Sequence, residues 1–397
     1  MNVQVSFCKE EIREHNVMLS PLVPVITPNR DLSRRIRGTE IEMIPHIQIE
    51  SAERRESRIR MKRGWKSFVR NYMPCTVLIV CMFILFDKLN DYFSLEPWLD
   101  IYPVSIQRDY SKVQGISDLT TESIDKWCFT GRSKCKCQDP LIKEGISETK
   151  NWWQKVHQMN VDAASKKTNI DVLFLGDSIT EGWHGTSRGH EIARAKGAQA
   201  VFSKFFEGHG KDAKYDGLAL GISGDTSPNV LWRIQNGELP NSLHPKVIWL
   251  LIGTNDFGNS WCSPELVLIG ILRVVEEIRI RKPNSIIVIH AILPRTFSHK
   301  GYVMRGQTSP LPSFVGNTKQ LPSLWRDIVA VNEELRRYCA ERENVEYFET
   351  KLFFVDSSAS PQDLRINSSL MPDYLHPSVE GYERWGEEIV SFLEKII

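Results

Sequence analysis

The sequence predicts an α/β protein, a mostly parallel sheet covered by helices on both faces, preceded by a single N-terminal transmembrane helix. Three observations carry this expectation. From residue 150 onward, apolar runs of strand length alternate with helical patterns, the order that right-handed βαβ crossovers require. The last pattern spaces Val379, Tyr382, Trp385, Ile389, Phe392 and Ile396 by three or four residues, which gathers them on one helical face. An uncharged 15-residue apolar run, Tyr72 to Phe86, stands well before all of these.

Residues 1–70 show no sustained period of 2 or 3.6. Between 51 and 70 lie eight basic residues and only two acids, Glu53 and Glu56, and the apolar run follows at once. It is shorter than the roughly 20 residues that span a bilayer, so a buried core helix or a signal-peptide core is the competing reading. Three features favour the membrane. The run has no polar stripe, Trp65, Phe68, Tyr92 and Phe93 extend it at the interfaces, and the basic cluster sits on one side only. A cleaved signal peptide would begin near the N-terminus. Residues 71–93 are therefore expected to form a signal anchor with a cytoplasmic N-terminus. Residues 94–149 then form a polar stalk without a readable pattern, and residues 150–397 form the α/β domain. The domain is expected in the lumen of the endoplasmic reticulum or Golgi, or outside the cell.

The chain has eight cysteines, of which Cys128, Cys135 and Cys137 cluster in WCFTGRSKCKC. No histidine stands beside them and no CxxC pair occurs, so no metal site is expected. A local disulfide, if the compartment is oxidising, and unpaired reduced thiols both stay open. Asn367-Ser368-Ser369 is the single glycosylation sequon. Fifty basic against forty-nine acidic residues give a formal charge of +1, which excludes a dedicated nucleic-acid binder. The 41% hydrophobic and 25% charged composition excludes whole-chain disorder and a multi-span transporter.

Strands are expected at 171–175 (DVLFL), 217–222, 246–252, 285–292 and 345–349, with helices at 150–166, 190–207, 227–236, 263–281 and 324–342 between them. In parallel sheets of this kind ligands bind at the carboxyl ends of the strands, so the residues just beyond each strand are the candidates for chemistry. After the first strand comes Gly176-Asp177-Ser178-Ile179-Thr180. A serine at such a turn can present its hydroxyl at the rim and its N–H to a developing oxyanion, though it can also be a plain helix cap. After the second comes Gly221-Ile222-Ser223-Gly224-Asp225-Thr226, where glycine allows close backbone approach or simply makes a turn. After the third comes Gly253-Thr254-Asn255-Asp256, where a neutral amide suits an oxyanion hole and Asn-Asp equally suits a turn. Before the last helix stands Asp373-Tyr374-Leu375-His376-Pro377. Its Asp and His can meet across one turn and set the imidazole tautomer. Pro377 favours an extended His376.

Taken in order, these motifs supply a nucleophile, two oxyanion donors and an acid–base pair, while the G-x-S-x-G elbow, the P-loop and G-x-G-x-x-G are absent. The blocks resemble those of the SGNH, or GDSL, hydrolases, with Ser178, Gly224, Asn255, and Asp373 with His376 in matching places. The likeness runs from about Trp152 to the C-terminus. It is greatest to the catalytic alpha subunits of platelet-activating-factor acetylhydrolase, through DVLFLGDSIT, GISGDTSPNVLWRIQNGEL, VIWLLIGTND and DYLHPSVEGY. Block I reads GDSI here instead of GDSL.

The resemblance implies a three-layer α/β/α flavodoxin-like fold and a serine esterase acting without metal or cofactor. Ser178, Asp373 and His376 would form the catalytic triad. The N–H groups of Ser178 and Gly224 and the Asn255 amide would form the oxyanion hole. Ile179, Thr254 and Leu375 would line a small acyl pocket suited to an acetyl group. The expected substrate is a small-molecule, lipid or glycan ester. A catalytically silent anchored binding module and an acyltransferase to a sugar or lipid are the alternatives, and self-association stays open. The Gly-, Ser- and Pro-rich connection from Pro294 to Pro322 is expected to be either a selectivity lid or a surface insertion.

Overall fold

A computed structural model describes residues 106, 108–128, 135–143, 151–208, 213–298, 300–303, 324–350, 353–356 and 364–397. The expected anchor at 71–93 and most of the connection from Pro294 to Pro322 lie outside these residues. Among the described residues, no helix is long and apolar enough to cross a membrane.

Five strands form the sheet: β1 (Asn169–Gly176), β2 (Gly217–Gly221), β3 (His244–Leu251), β4 (Ile286–His290) and β5 (Val345–Phe348). Their order is β2-β1-β3-β4-β5 and every pairing is parallel. The strands are near-continuous apolar runs because both faces are covered. Strand periodicity divides their side chains between two cores. Leu173, Leu175, Ile248, Leu250, Ile287 and Ile289 face one way. Val172, Phe174, Val247, Trp249, Leu251 and Val288 face the other.

Among the described residues, eight α-helices accompany the sheet: α1 (Asn151–Ser165), α2 (Ser178–Glu181), α3 (Ala198–Phe206), α4 (Ser227–Arg233), α5 (Thr254–Gly258), α6 (Pro264–Arg281), α7 (Trp325–Ala340) and α8 (Val379–Ile396). Helices α4, α6 and α7 close the first core. Helices α3 and α8 close the second, where Trp183 stacks on Trp385. The helix expected at 190–207 is shorter than its apolar pattern suggests. A two-stranded ribbon, Thr186–Ser187 with His190–Glu191, and a single 3-10 turn occupy its first part. The helix expected to run through 236 ends its regular part at Arg233. Asn236 and Gly237 leave helical geometry and turn Glu238 into the interior.

The register places the chemistry. Gly176 pairs with Gly221 on one side and with Leu251 on the other. Three neighbouring strands thus end at one level, and the loops carrying Ser178, Gly224 and Asn255 leave side by side.

The segment expected to be a stalk behaves differently. Its described residues belong to the same compact unit as the α/β domain. Tyr110, Val113 and Leu119 are buried in the first core, and the Tyr110 hydroxyl donates to Glu265 Oε1 at 2.7 Å. One disulfide, Cys128–Cys135, closes within it, and a second, Cys137–Cys262, staples it to the loop that follows α5. These side chains plug the domain one at a time, so they leave no period to read. Cys137 and Cys262 lie 125 residues apart, and closing so long a loop constrains the unfolded chain strongly. Replacing both by serine is expected to lower stability by about 2–5 kcal/mol in chemical denaturation, without moving the native far-UV spectrum.

Candidate active site

Asp177 caps α2 by accepting the Ile179 N–H at 2.9 Å, and this turn sets Ser178 at the rim. Ser178 is nearly buried, yet its hydroxyl reaches the imidazole: Oγ lies 2.9 Å from His376 Nε2. His376 Nδ1 in turn lies 2.8 Å from Asp373 Oδ2. The other carboxylate oxygen of Asp373 accepts the backbone N–H groups of Leu375 and His376, at 3.1 and 2.7 Å. The one-turn Asp–His meeting is thus realised, with Tyr374 between them in the left-handed region at φ 57°. An Nδ1–H that donates to Asp373 leaves Nε2 free to accept the serine proton. Burial opposes ionisation of Asp373, but the His376 hydrogen bonds and charge, helped by Arg194, outweigh it and hold the carboxyl down at about 2. Arg194 Nε stands 3.5 Å from the same carboxylate. Helix α8, which follows His376, is tied back to the serine turn because the Tyr382 hydroxyl donates to Ile179 O at 2.8 Å.

Asn255 sits in α5, entered through Gly253 at φ 117°, a conformation that side chains other than glycine rarely adopt. Its Nδ2 donates to Asp225 O at 2.9 Å, and Asn259 Nδ2 donates to its Oδ1 at 2.8 Å. The amide plane is therefore fixed from both ends. The remaining contact of Nδ2, to Asp177 Oδ2, is long at 3.5 Å, which leaves that hydrogen available to a better acceptor. Gly224 also has left-handed backbone, at φ 88°, and a Cβ there would meet nothing within 4 Å, so the backbone faces open space. Ile179 and Thr254 are buried and Leu375 is half-buried.

Beneath the rim lies a charged network with no single-residue signature in the sequence. Arg233 is fully buried and donates to Gly176 O and Leu220 O, both at 2.8 Å, at the ends of β1 and β2. It also pairs with Asp225 at 2.7 Å and Glu238 at 2.6 Å. Trp153 Nε1 donates to Asp225 Oδ1 at 2.6 Å, and His157 Nδ1 lies 2.8 Å from Glu238 Oε1. Arg233 and Glu238 are the charged members of LWRIQNGEL, so that stretch was the available signal. Glu181, also buried, accepts the N–H and hydroxyl of Ser223 at 2.7 and 2.6 Å and steadies the loop before Gly224. Among the described residues, no group of three or more His, Cys, Asp or Glu side chains could hold a metal ion.

A model of the GDSL-like lipase/acylhydrolase family matches residues 174–384, just over half of the chain. The chain belongs to this family. The platelet-activating factor acetylhydrolase IB subunit alpha2 of Homo sapiens is 30% identical over 245 residues, covering 62% of this chain and 84% of the relative. Subunit alpha1 of Homo sapiens is 29% identical over 230 residues, covering 58% and 78%. Among solved structures, a GDSL-like lipase from Bacteroides thetaiotaomicron is similar, with 19% identity and a TM-score of 0.43. The match covers 63% of this chain and all of the lipase. As a GDSL acylhydrolase the chain is a hydrolase with an α/β fold and a parallel sheet, as its blocks imply.

Within this GDSL site, burial raises the Asp177 carboxyl to about 7, despite the hydrogen bond from Ile179 N, with the charges of Asp225 and Asp256 adding to the rise. A carboxyl whose native pKa lies above its unfolded value binds its proton more tightly in the folded state, so its contribution to stability falls as pH rises from about 4 to 7. Asp177→Asn keeps an N-cap acceptor and removes the buried charge. The variant is expected to melt close to wild type at pH 5 and above it at pH 8, measured by thermal unfolding at both values.

Proposed function

We propose that the chain is a serine ester hydrolase that cleaves short acyl esters, acetyl esters foremost, through an acyl-enzyme. The carrying observation is the unbroken line from Ser178 Oγ to His376 Nε2 at 2.9 Å and from His376 Nδ1 to Asp373 Oδ2 at 2.8 Å. Ser178 Oγ attacks the ester carbonyl while His376 takes its proton and Asp373, ionised, stabilises the imidazolium. The oxyanion is met by the N–H groups of Ser178 and Gly224 and by the Asn255 amide. His376 then returns the proton to the departing alcohol. Water, deprotonated by the same imidazole, releases the acid and restores the serine. Ile179, Thr254 and Leu375 border the acyl group, and the burial of the first two favours a small one. The acetylhydrolase name of the relatives supports the same choice.

We also infer that this chemistry runs on the non-cytoplasmic side of a membrane. Two disulfides within 128–262 suit an oxidising compartment, and the basic flank before Tyr72 suits a cytoplasmic N-terminus.

Ser178→Ala is expected to lose nearly all turnover and all labelling by a fluorophosphonate, with its melting temperature retained. Asn255→Ala is expected to lose about 10²–10³ in kcat, the cost of one oxyanion donor. A p-nitrophenyl ester series from acetyl to octanoyl reads the acyl preference, and kcat/KM should fall with chain length. Full turnover by Ser178→Ala would reject the esterase reading. In sealed microsomes, the full chain should resist carbonate extraction and its part from 94 onward should resist added protease. Digestion of that part would reject the topology.

A further inference from the structure

Arg295 stands five residues beyond β4 and is a buried cation. It is 5% exposed, and among the described residues no acid reaches ion-pair distance of it. The neighbouring connection, 304–323, contains no Asp or Glu that could supply one. Nη1 donates to Thr254 O at 2.5 Å and to Thr254 Oγ1 at 3.2 Å. Nε is buried and has no hydrogen-bond partner. The guanidinium lies 5.3 Å from the centre of the Phe297 ring, and Phe297 stacks on Trp261 at 5.5 Å. It also lies flat against α5, because a Cβ on Gly258 would overlap it. An unpaired buried charge costs several kcal/mol, so its retention beside Thr254 calls for a use.

We propose that Arg295 is a positioning residue for the oxyanion hole, pinning the Thr254–Asn255 peptide so that the Asn255 amide stays aimed, while its unpaired charge favours the anionic intermediate. This rests on the esterase reading above. The Thr254 carbonyl belongs to the peptide bond that enters Asn255, so holding it fixes the plane from which the Asn255 side chain departs. The charge acts at longer range. Asp177, next to Ser178, and Asp373 both feel it, which places the guanidinium within electrostatic reach of the reacting centre. In a water-poor site such preorganised charge is worth more than in solution. Burial lowers the guanidinium to about 10, where it is still a cation at neutral pH. A neutral ester gains little from it in the ground state, and a tetrahedral anion gains more, so its removal should act on kcat and not on KM.

The test compares wild type, Arg295→Met, Arg295→Lys and Gly258→Ala as full chains in detergent. The readouts are kcat and KM for p-nitrophenyl acetate and the inhibition constant of phenylboronic acid, which adds to a serine as a tetrahedral anion. Arg295→Met should lower kcat about tenfold or more, leave KM within about twofold, and weaken the boronic acid in parallel. Arg295→Lys, which keeps the charge, should recover part of both losses. Should Arg295→Met not fold, Gly258→Ala serves instead. The backbone there is not left-handed, so alanine displaces the guanidinium without straining the turn, and the same paired loss is expected.

Wild-type kcat and boronic acid affinity in Arg295→Met, or in Gly258→Ala, would overturn the proposal. Equal losses in the Lys and Met variants, matched by a lower melting temperature and no change in boronic acid affinity, would reduce Arg295 to scaffolding. A wild-type chain with no ester turnover and no fluorophosphonate labelling would instead sink the esterase reading, and this proposal with it.

Discussion

The site hangs on the buried Arg233 guanidinium. It donates to carbonyls at the ends of two adjacent strands, Gly176 O and Leu220 O, and pairs with Asp225 and Glu238. One rigid fork therefore holds the end of β1 before Ser178 and the end of β2 before Gly224. Through Asp225 it also holds the loop whose carbonyl orients Asn255. Breaking a buried pair of this kind costs about 3–5 kcal/mol, so the clamp is stiff as well as specific in direction. Arginine suits the place because its planar fork satisfies several acceptors at once, which a lysine ammonium cannot do in one plane.

The clamp also shapes the electrostatics of the rim. Asp177, Asp225 and Asp256 are buried around the Asn255 amide, an unfavourable neighbourhood for a developing oxyanion if all were ionised. Burial pushes the Asp177 carboxyl up to about 7 and the Asp256 carboxyl up to about 6, with the Ser227 N–H holding Asp256 lower. Arg233 neutralises the charge near Asp225, and Arg295 adds a buried positive charge that Asp177 and Asp373 feel. Asp373 is the exception: the His376 hydrogen bonds and charge, with Arg194 adding, outweigh burial and hold its carboxyl down at about 2.

The N-terminal segment contributes by packing. Tyr110, Val113 and Leu119 extend the core over α6 and α7, and the Cys137–Cys262 link ends in the loop that follows Asn255. Covalent anchoring there limits the freedom of α5, so stability and the position of Asn255 share one fastening. The two disulfides resolve the alternative that the cysteine cluster had left open between bonded and reduced thiols.

Much of this was legible in the residues. The strand runs, the terminal amphipathic helix and the ordered blocks around Ser178, Gly224, Asn255, Asp373 and His376 are local patterns, and burial on two sheet faces or one helical face writes them directly into the sequence. The Asp373–His376 meeting was readable too, because a single turn joins its partners. What the tertiary structure alone decided are the partners distant in sequence: Arg233 on β1 and β2, Arg295 on Thr254, and Cys137 on Cys262. Such contacts depend on strand order and register, and a single buried arginine or tyrosine imposes no period on its neighbours. The sequence thus determined the fold class and the candidate groups of the site, while three-dimensional packing determined their aim and their charge.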